Sequence, residues 1–123
     1  MITIGTIVMG AADVRRAADF WTRALDYVPR DGEVEDDWVV LVPARGPGPG
    51  LSLGLSMTPV QEHPRVHLDL YARDAAEQTA EVERLISLGA ERVGWDSYPD
   101  DADFIVLADT EGNRFCVIDT GHG

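Results

Sequence analysis

An internal repeat constrains the fold of this chain more than any other feature of its sequence. A shift of 61 residues (67 minus 6, and 74 minus 13) places Thr6 on His67 and the helix-capping Asp13 on Asp74. Three further matches follow: WVVL at 38–41 with FIVL at 104–107, the turn PARGPGPG with ADTEGN, and LSLGL at 51–55 with RFCVI at 114–118. A repeat of this length predicts two copies of one structural unit.

The first repeat reads as a strand, a helix and further strands. The β-branched run at 2–10 predicts a strand, and Asp13 is placed to cap a helix. The apolar face predicted for that helix comprises Val14, Ala17, Ala18, Trp21, Ala24 and Leu25. Strands are predicted at 38–42 and 51–57, on either side of a turn rich in proline and glycine.

The second repeat has the same order of elements. A second helix is predicted to begin at Asp74 and to end at Gly89, with Leu85 beside its apolar face. That face is predicted to comprise Ala75, Thr79, Val82 and Ile86. Three short strands then complete the repeat, at about 92–95, 104–108 and 115–119.

These elements predict an α+β fold of two βαβββ modules with mixed sheets. The modules are expected at about 1–57 and 64–120, with residues 58–63 as the linker. Neither module alone covers its sheet, so residues 1–123 are expected to form a single domain.

Charge and cysteine content exclude several classes of function. The chain has 10 basic and 22 acidic residues and a formal net charge of −12, which disfavours binding to nucleic acid or to anionic membranes. Cys116 is the one cysteine, so no intrachain disulfide is possible. No basic residue precedes the apolar start, as it would in a secretory signal, and a cytoplasmic protein is predicted.

The segment RVHLDLY at 65–71 contains the best candidate functional residue. In a strand, alternation places Val66, Leu68 and Leu70 on one face and His67 and Asp69 on the other. We interpret the first face as covered by a helix and the second as lining a pocket. There His67 could bind a ligand or act as a general base, with Asp69 orienting the imidazole. The structural alternative is a histidine held by a neighbour across the sheet.

The two βαβββ modules, the opening HLDL of the second and its closing ADTEGNRFCVID resemble the vicinal oxygen chelate superfamily. This group includes glyoxalases, bleomycin-resistance proteins and extradiol dioxygenases, and the likeness is strongest to its compact glyoxalase-like branch. The resemblance implies curved sheets that each cup a cavity. It also implies pairing into a homodimer.

The resemblance further implies a metal held by four ligands from the first and last strands of each module. Those positions fall at about Thr6, Gly54, His67 and Cys116, of which only His67 is a usual ligand. Because a catalytic divalent site needs about three protein ligands, we predict neither a bound metal nor any other cofactor. His67 and Cys116 would form a soft pair for zinc or copper only if they converge, with Asp69 as a third ligand.

The cavity implied by the resemblance predicts a set of ligand-binding residues. His67 is also the candidate catalytic residue, and the aromatic side chains are candidate stacking walls with Tyr71, Tyr98 and Phe104 beside them. The predicted ligand-binding set is Thr6, Trp38, His67, Asp69, Trp95 and Cys116. Ordinary core packing is the alternative for each aromatic residue and for Cys116.

The function predicted from these residues is binding of a small organic molecule without a metal. One alternative is an isomerase or lyase in which His67 transfers a proton. A second is a resistance-type protein that sequesters a drug without turnover. A third is a dimeric scaffold that has lost its site.

Overall fold

The computed structural model describes all residues, 1–123, and divides them into two compact units, Met1–Pro59 and Val60–Gly123. Each unit has the order strand, helix and three strands, and each contains one four-stranded mixed sheet. The predicted α+β class and the two βαβββ modules are therefore confirmed. That the two units fold as one domain around cupped cavities stays a prediction.

The first unit is built on one parallel and two antiparallel strand pairs. Its elements are β1 (Thr6–Ala11), α1 (Val14–Leu25), β2 (Tyr27–Pro29), β3 (Trp38–Pro43) and β4 (Gly50–Leu55). The sheet order is β1-β4-β3-β2, with β1 parallel to β4 and the other pairs antiparallel. The short strand β2 was not separated from its surroundings in the sequence. The predicted first strand begins later than expected, and residues 1–5 before it are exposed.

The second unit repeats this topology. Its elements are β5 (Asp69–Ala72), α2 (Ala75–Leu88), β6 (Glu91–Arg92), β7 (Phe104–Ala108) and β8 (Arg114–Asp119). The sheet order is β5-β8-β7-β6, and the first and last strands of the unit are again the parallel pair. The parallel pair therefore places the start of β5 beside the middle of β8.

Helix α1 follows the sequence prediction closely. The side chain of Asp13 accepts a hydrogen bond from the amide of Arg16 and so caps the helix. The buried residues are Val14, Ala17, Ala18, Phe20, Trp21 and Ala24. Leu25 is only half-buried, whereas Phe20 packs edge-on against the fully buried ring of Trp21. These side chains form the core of the first unit with the inner face of its sheet.

Helix α2 has its predicted ends but a different buried face. Asp74 caps its start and Gly89 its end, yet Ala75, Thr79 and Ile86 are exposed. Burial instead centres on Val82 and Leu85, with Gln78 one turn before them. Because a helix of mixed polarity has a weak apolar stripe, the choice between neighbouring faces depends on partners that the sequence does not show.

Gln78 explains this choice of face. Its side-chain amide donates hydrogen bonds of 3.0 Å to the carbonyl oxygens of Asp103 and of Val117. Its polar group is therefore satisfied where the helix meets the sheet.

Neither α1 nor α2 combines the length and the apolar character that a membrane-spanning helix requires.

Candidate functional site

The parallel pair β5–β8 brings together three of the predicted site residues. Asp69 lies opposite Cys116 in the ladder, and the amide of Cys116 donates to the carbonyl oxygen of Leu68. His67 lies just before the strand begins. The predicted alternation holds for Leu68 and Leu70, which are more buried than His67 and Asp69. It is wrong for Val66, which is 79% exposed because it precedes the paired part of the segment.

His67, Asp69 and Cys116 form a compact polar cluster, which we call the imidazole–thiol cluster. The Nε2 atom of His67 lies 3.0 Å from Oδ1 of Asp69, and both side chains are nearly half exposed, at 42% and 46%. One nitrogen, oxygen or sulfur atom from each of the three residues lies within 4.8 Å of the others. The thiol lies at the buried end of the cluster, with Cys116 only 8% exposed.

Cys116 is held as a neutral thiol. Burial, the charge of the Asp69 carboxylate and a hydrogen bond from the thiol to that carboxylate together raise its pKa from 9.0 to about 11. A thiolate would be the nucleophile, and it is scarce when the pKa lies so high. The residue therefore supplies a weak donor and small apolar bulk.

A second row of side chains lies beside the imidazole–thiol cluster on the same face of the sheet. The ladders place Phe104 opposite Ile118 and Ile118 opposite Tyr71, which is 77% exposed. The Tyr98 ring stacks on Phe104 with centroids 5.2 Å apart, and its hydroxyl accepts a hydrogen bond from the amide of Val106. We call Tyr71, Ile118, Phe104 and Tyr98 the aromatic row. It is one residue pair away from the cluster along the strands.

The first unit carries a different pair at the equivalent place. Its ladders set Val8 opposite Ser52 and Val40 opposite Ser52, as Asp69 and Val106 are opposite Cys116 in the second unit. The counterpart of Cys116 is therefore Ser52. The assignment of this position to Gly54 was wrong, since Gly54 matches Ile118 in the ladders. Ser52 is fully buried, and its Oγ lies 2.8 Å from Oγ1 of the exposed Thr6.

Ser52 is the site-face residue that sequence reasoning missed. A sequence signal for it exists. Ser52 lies between Leu51 and Leu53, both buried, and this alternation could have placed it on the other face of β4.

Trp38 lies against a glycine on the same face of the first unit. It pairs with Gly54 in the ladder, and a Cβ at Gly54 would come within 3.2 Å of the indole ring. The indole is 41% exposed. Trp38 therefore presents an open aromatic surface, as a stacking wall requires, although its role in binding stays a prediction.

Trp95 has neighbours that occupy its ring. The His63 imidazole lies 4.8 Å from it between centroids, and the Arg114 guanidinium lies 5.9 Å from its centroid. The Nε2 atom of His63 also donates a hydrogen bond of 3.2 Å to the Asp96 carboxylate, and this hydrogen bond lowers the pKa of Asp96. Arg114 further donates to the carbonyl oxygen of Glu62. The Trp95 ring therefore already has an imidazole and a guanidinium as neighbours, and its role as a stacking wall stays a prediction.

The four-ligand metal set of the resembled superfamily does not fit this chain. In the first unit the candidate positions offer only the hydroxyl groups of Thr6 and Ser52, which are hydrogen-bonded to each other. Gly54 has no side chain to bind a metal and lies against the Trp38 indole. In the second unit the thiol of Cys116 is protonated and bonded to Asp69. The imidazole–thiol cluster does bring three donor atoms together, but from one unit and with one residue, Asp69, outside the expected set.

A groove of about 450 Å³ lies elsewhere, on the first unit between α1 and β2. It is lined by Arg15, Ala18, Asp19, Thr22, Tyr27, Val28, Pro29 and Val34. None of the predicted site residues contributes to it. Thr6 and Trp38 lie in the first unit, and the other predicted residues lie in the second, so a site shared by both groups stays a prediction.

Comparison with known proteins agrees with the fold. No curated protein matches the chain. Three solved structures resemble it at low sequence identity. A glyoxalase-related enzyme from Fulvimarina pelagi is 15% identical, with a TM-score of 0.72 over 98% of this chain and 89% of that one. A glyoxalase/bleomycin resistance protein/dioxygenase family enzyme from Burkholderia phytofirmans is 11% identical, with a TM-score of 0.73 over 96% and 98%.

The third is the fosfomycin resistance protein FosX from Listeria monocytogenes, which is 16% identical, with a TM-score of 0.72 over 97% of this chain and 92% of that one. The sequence model of the glyoxalase-like domain matches residues 6–118. Together with the two βαβββ units, this match shows that the chain belongs to the glyoxalase-like family of the vicinal oxygen chelate superfamily.

Proposed function

We propose that the protein binds a small organic molecule, without a metal, on the open face of the second unit's sheet. The observation that carries this proposal is the His67 imidazole, which is nearly half exposed and has Asp69 at 3.0 Å. An imidazole that lies beside a carboxylate and is partly open to solvent is suited to contact a ligand. The aromatic row next to it offers the apolar surface that small-molecule sites usually contain.

The position of Asp69 assigns roles to the two nitrogens of His67. A carboxylate 3.0 Å from Nε2 favours a proton on that nitrogen, which leaves Nδ1 of the neutral ring as an acceptor. Nδ1 has no partner in the chain. It would accept a hydrogen bond from a ligand, or a proton from a substrate.

Proton transfer by His67 is the second candidate function, in an isomerase or lyase step. The same imidazole geometry supports it, because a general base must be accessible and oriented. Covalent catalysis by Cys116 is not supported, since its pKa of about 11 keeps the thiol neutral. A drug-sequestering role without turnover is the third candidate, in keeping with the resistance proteins among the structural relatives.

A ligand screen by thermal melting, with two histidine variants, tests the binding proposal. A ligand that prefers the folded state raises the melting temperature. A desolvated hydrogen bond contributes roughly 0.5–1.5 kcal/mol, so His67→Ala should weaken the affinity for a screened ligand about three- to tenfold. If His67 is catalytic, His67→Ala should instead lower turnover by about 100-fold or more and change affinity little.

His122→Ala is the matched control. His122 is also an imidazole beside a carboxylate, Asp101, in the same unit, but its carboxylate neighbours, Asp101 and Asp119, lie outside the predicted ligand-binding set. It should leave ligand affinity unchanged. If both variants weaken binding equally, or if no compound of a broad metabolite and drug library raises the melting temperature, the binding proposal fails and the empty scaffold is favoured.

We also propose that the protein is a cytoplasmic homodimer. Large apolar side chains are exposed in the first unit, among them Ile2, Ile4, Val8, Leu55 and Met57. Exposed apolar groups of this size are typical of a surface that a second copy covers. The reduced, buried Cys116 fits a reducing compartment. Light scattering at micromolar concentration should give twice the chain mass of 13.4 kDa, and a monomer would overturn the dimer proposal.

A further inference from the structure

We infer that the ligand of the second unit is an organic cation, such as an aromatic amine, whose positive charge is bound by Asp69. This inference rests on the proposed function and adds the chemical class of the ligand. Three observations carry it: the charge state of the cluster, the aromatic row beside it and the charge of the whole chain.

Asp69 is a carboxylate without a permanent cationic partner. All ten basic residues of the chain are arginines, and none forms an ion pair with Asp69. Its two neighbours are the His67 imidazole and the neutral Cys116 thiol. Some other carboxylates of the chain do have an arginine partner, as Asp36 has Arg15 and Glu77 has Arg73. A half-exposed carboxylate of this kind attracts a cation and opposes an anion.

The aromatic row supplies a second feature that cations favour. Tyr71 follows Asp69 by two residues and so shares its face of the sheet, and it is 77% exposed. The ring faces of tyrosine and phenylalanine attract ammonium groups, most strongly where water is excluded. A flat molecule with a protonated amine would therefore place its ring along the row and its charge at Asp69. The net charge of −12 draws such a molecule towards the protein.

Matched probes that differ only in charge test the inference. We would use two pairs, tryptamine with indole-3-propionate and 1-naphthylmethylamine with 1-naphthylacetate, and the neutral indole-3-ethanol. Binding would be followed by calorimetry and by thermal melting. The amines should bind at least tenfold more tightly than the carboxylates, and their affinity should fall as sodium chloride is raised.

Two charge-matched variants separate Asp69 from the general acidity of the surface. Asp69→Asn should weaken amine binding tenfold or more, and at least fivefold more than it weakens the binding of indole-3-ethanol. Asp26→Asn removes one charge from the other unit, at a left-handed position (φ 55°) that asparagine tolerates, and should change amine affinity less than twofold. If Asp69→Asn fails to fold, Tyr71→Ala takes its place, because the ring is 77% exposed and its loss should weaken amine binding more than Asp26→Asn does.

The outcomes distinguish this inference from the proposed function. If indole-3-ethanol or a library compound binds in a His67-dependent way while the amines bind no better than the carboxylates, the cation inference is overturned and the binding function stands. Equal losses in Asp69→Asn and Asp26→Asn would also overturn it, because the attraction would then be a property of the whole surface. If no probe and no library compound binds, the proposed function itself is wrong.

Discussion

The Oγ1 atom of Thr6 lies 2.8 Å from the Oγ atom of Ser52, in the place that His67 and Cys116 occupy in the second unit. One copy of the repeat therefore carries two hydroxyl groups where the other carries an imidazole and a thiol. The ladders establish that these positions correspond, because the first and last strands of each unit pair in parallel with the same register.

The hydroxyl pair leads to an asymmetric prediction for stability. Thr6→Val leaves the fully buried Ser52 hydroxyl without its partner, which costs about 1–3 kcal/mol, whereas Ser52→Ala leaves only the exposed Thr6 hydroxyl, which water can satisfy. We expect Thr6→Val to lower the unfolding free energy more than Ser52→Ala. Urea denaturation of the two variants measures this, and the reverse order would contradict the pairing.

Cys116 is expected to resist alkylation near neutral pH. With a pKa raised from 9.0 to about 11, its thiolate fraction at pH 8 is about 100-fold below that of an ordinary thiol. Iodoacetamide labelling followed by mass spectrometry should show a rate that keeps rising up to about pH 11. Asp69→Asn should shift this profile to lower pH, since it removes one cause of the shift, and an unchanged profile would show that burial alone is responsible.

The same raised pKa predicts how stability depends on alkaline pH. A thiol whose pKa is higher in the folded state stabilises the fold fully below the unfolded value of 9.0. That contribution is lost as the pH rises from 9 to about 11. The urea midpoint should therefore fall across this range in the native protein, and the Cys116→Ala variant should show a smaller fall.

His122 is expected to give the fold a second pH dependence near neutrality. Its pKa is raised above 6.5 by a hydrogen bond with Asp101 and by the charges of Asp101, Asp119 and Asp103. This stabilisation is complete below pH 6.5 and is lost as the pH rises through the folded value. His122→Gln should flatten the stability profile above pH 6.5, and Asp101→Asn should do the same. A steep profile that survives both variants would assign the effect to another group.

The protein as purified is expected to carry no stoichiometric divalent metal. The thiol of Cys116 must lose a proton of high pKa before it can bind a metal, and the first unit offers only hydroxyl groups. Elemental analysis without chelators should find well under one metal per chain. About one tightly held zinc or copper, lost in Cys116→Ser, would show instead that the three donors of the imidazole–thiol cluster bind a metal.

The repeat made the order of elements predictable, but two details depended on contacts that a sequence does not show. The helix cap at Asp13 and most of the apolar face of α1 were predicted correctly, because a local rule and a strong apolar period agree there; Leu25 and Phe20 are the exceptions. The counterpart of Cys116 was misplaced because strand register is set by pairing, and a small slip along a strand moves an assignment to another residue or face. The clustering of His67, Asp69 and Cys116 likewise required the ladder between β5 and β8.

The prediction of the buried face of α2 was wrong for a related reason. Sequence patterns treat glutamine as a solvent-facing residue, and the predicted face contained Thr79 but not Gln78. In the structure, the side-chain amide of Gln78 donates to two backbone carbonyl oxygens. These hydrogen bonds offset the desolvation cost of placing the amide against the sheet.

The contacts of Gln78 also fix where α2 sits along the sheet. Apolar packing by Val82 and Leu85 is non-directional, so it specifies the position of the helix less sharply than a hydrogen bond does. Two hydrogen bonds from one amide, to Asp103 in the loop before β7 and to Val117 in β8, have no equivalent one turn along the helix. The Gln78 amide therefore fixes the position of α2 relative to two separate segments of the chain, the loop before β7 and strand β8.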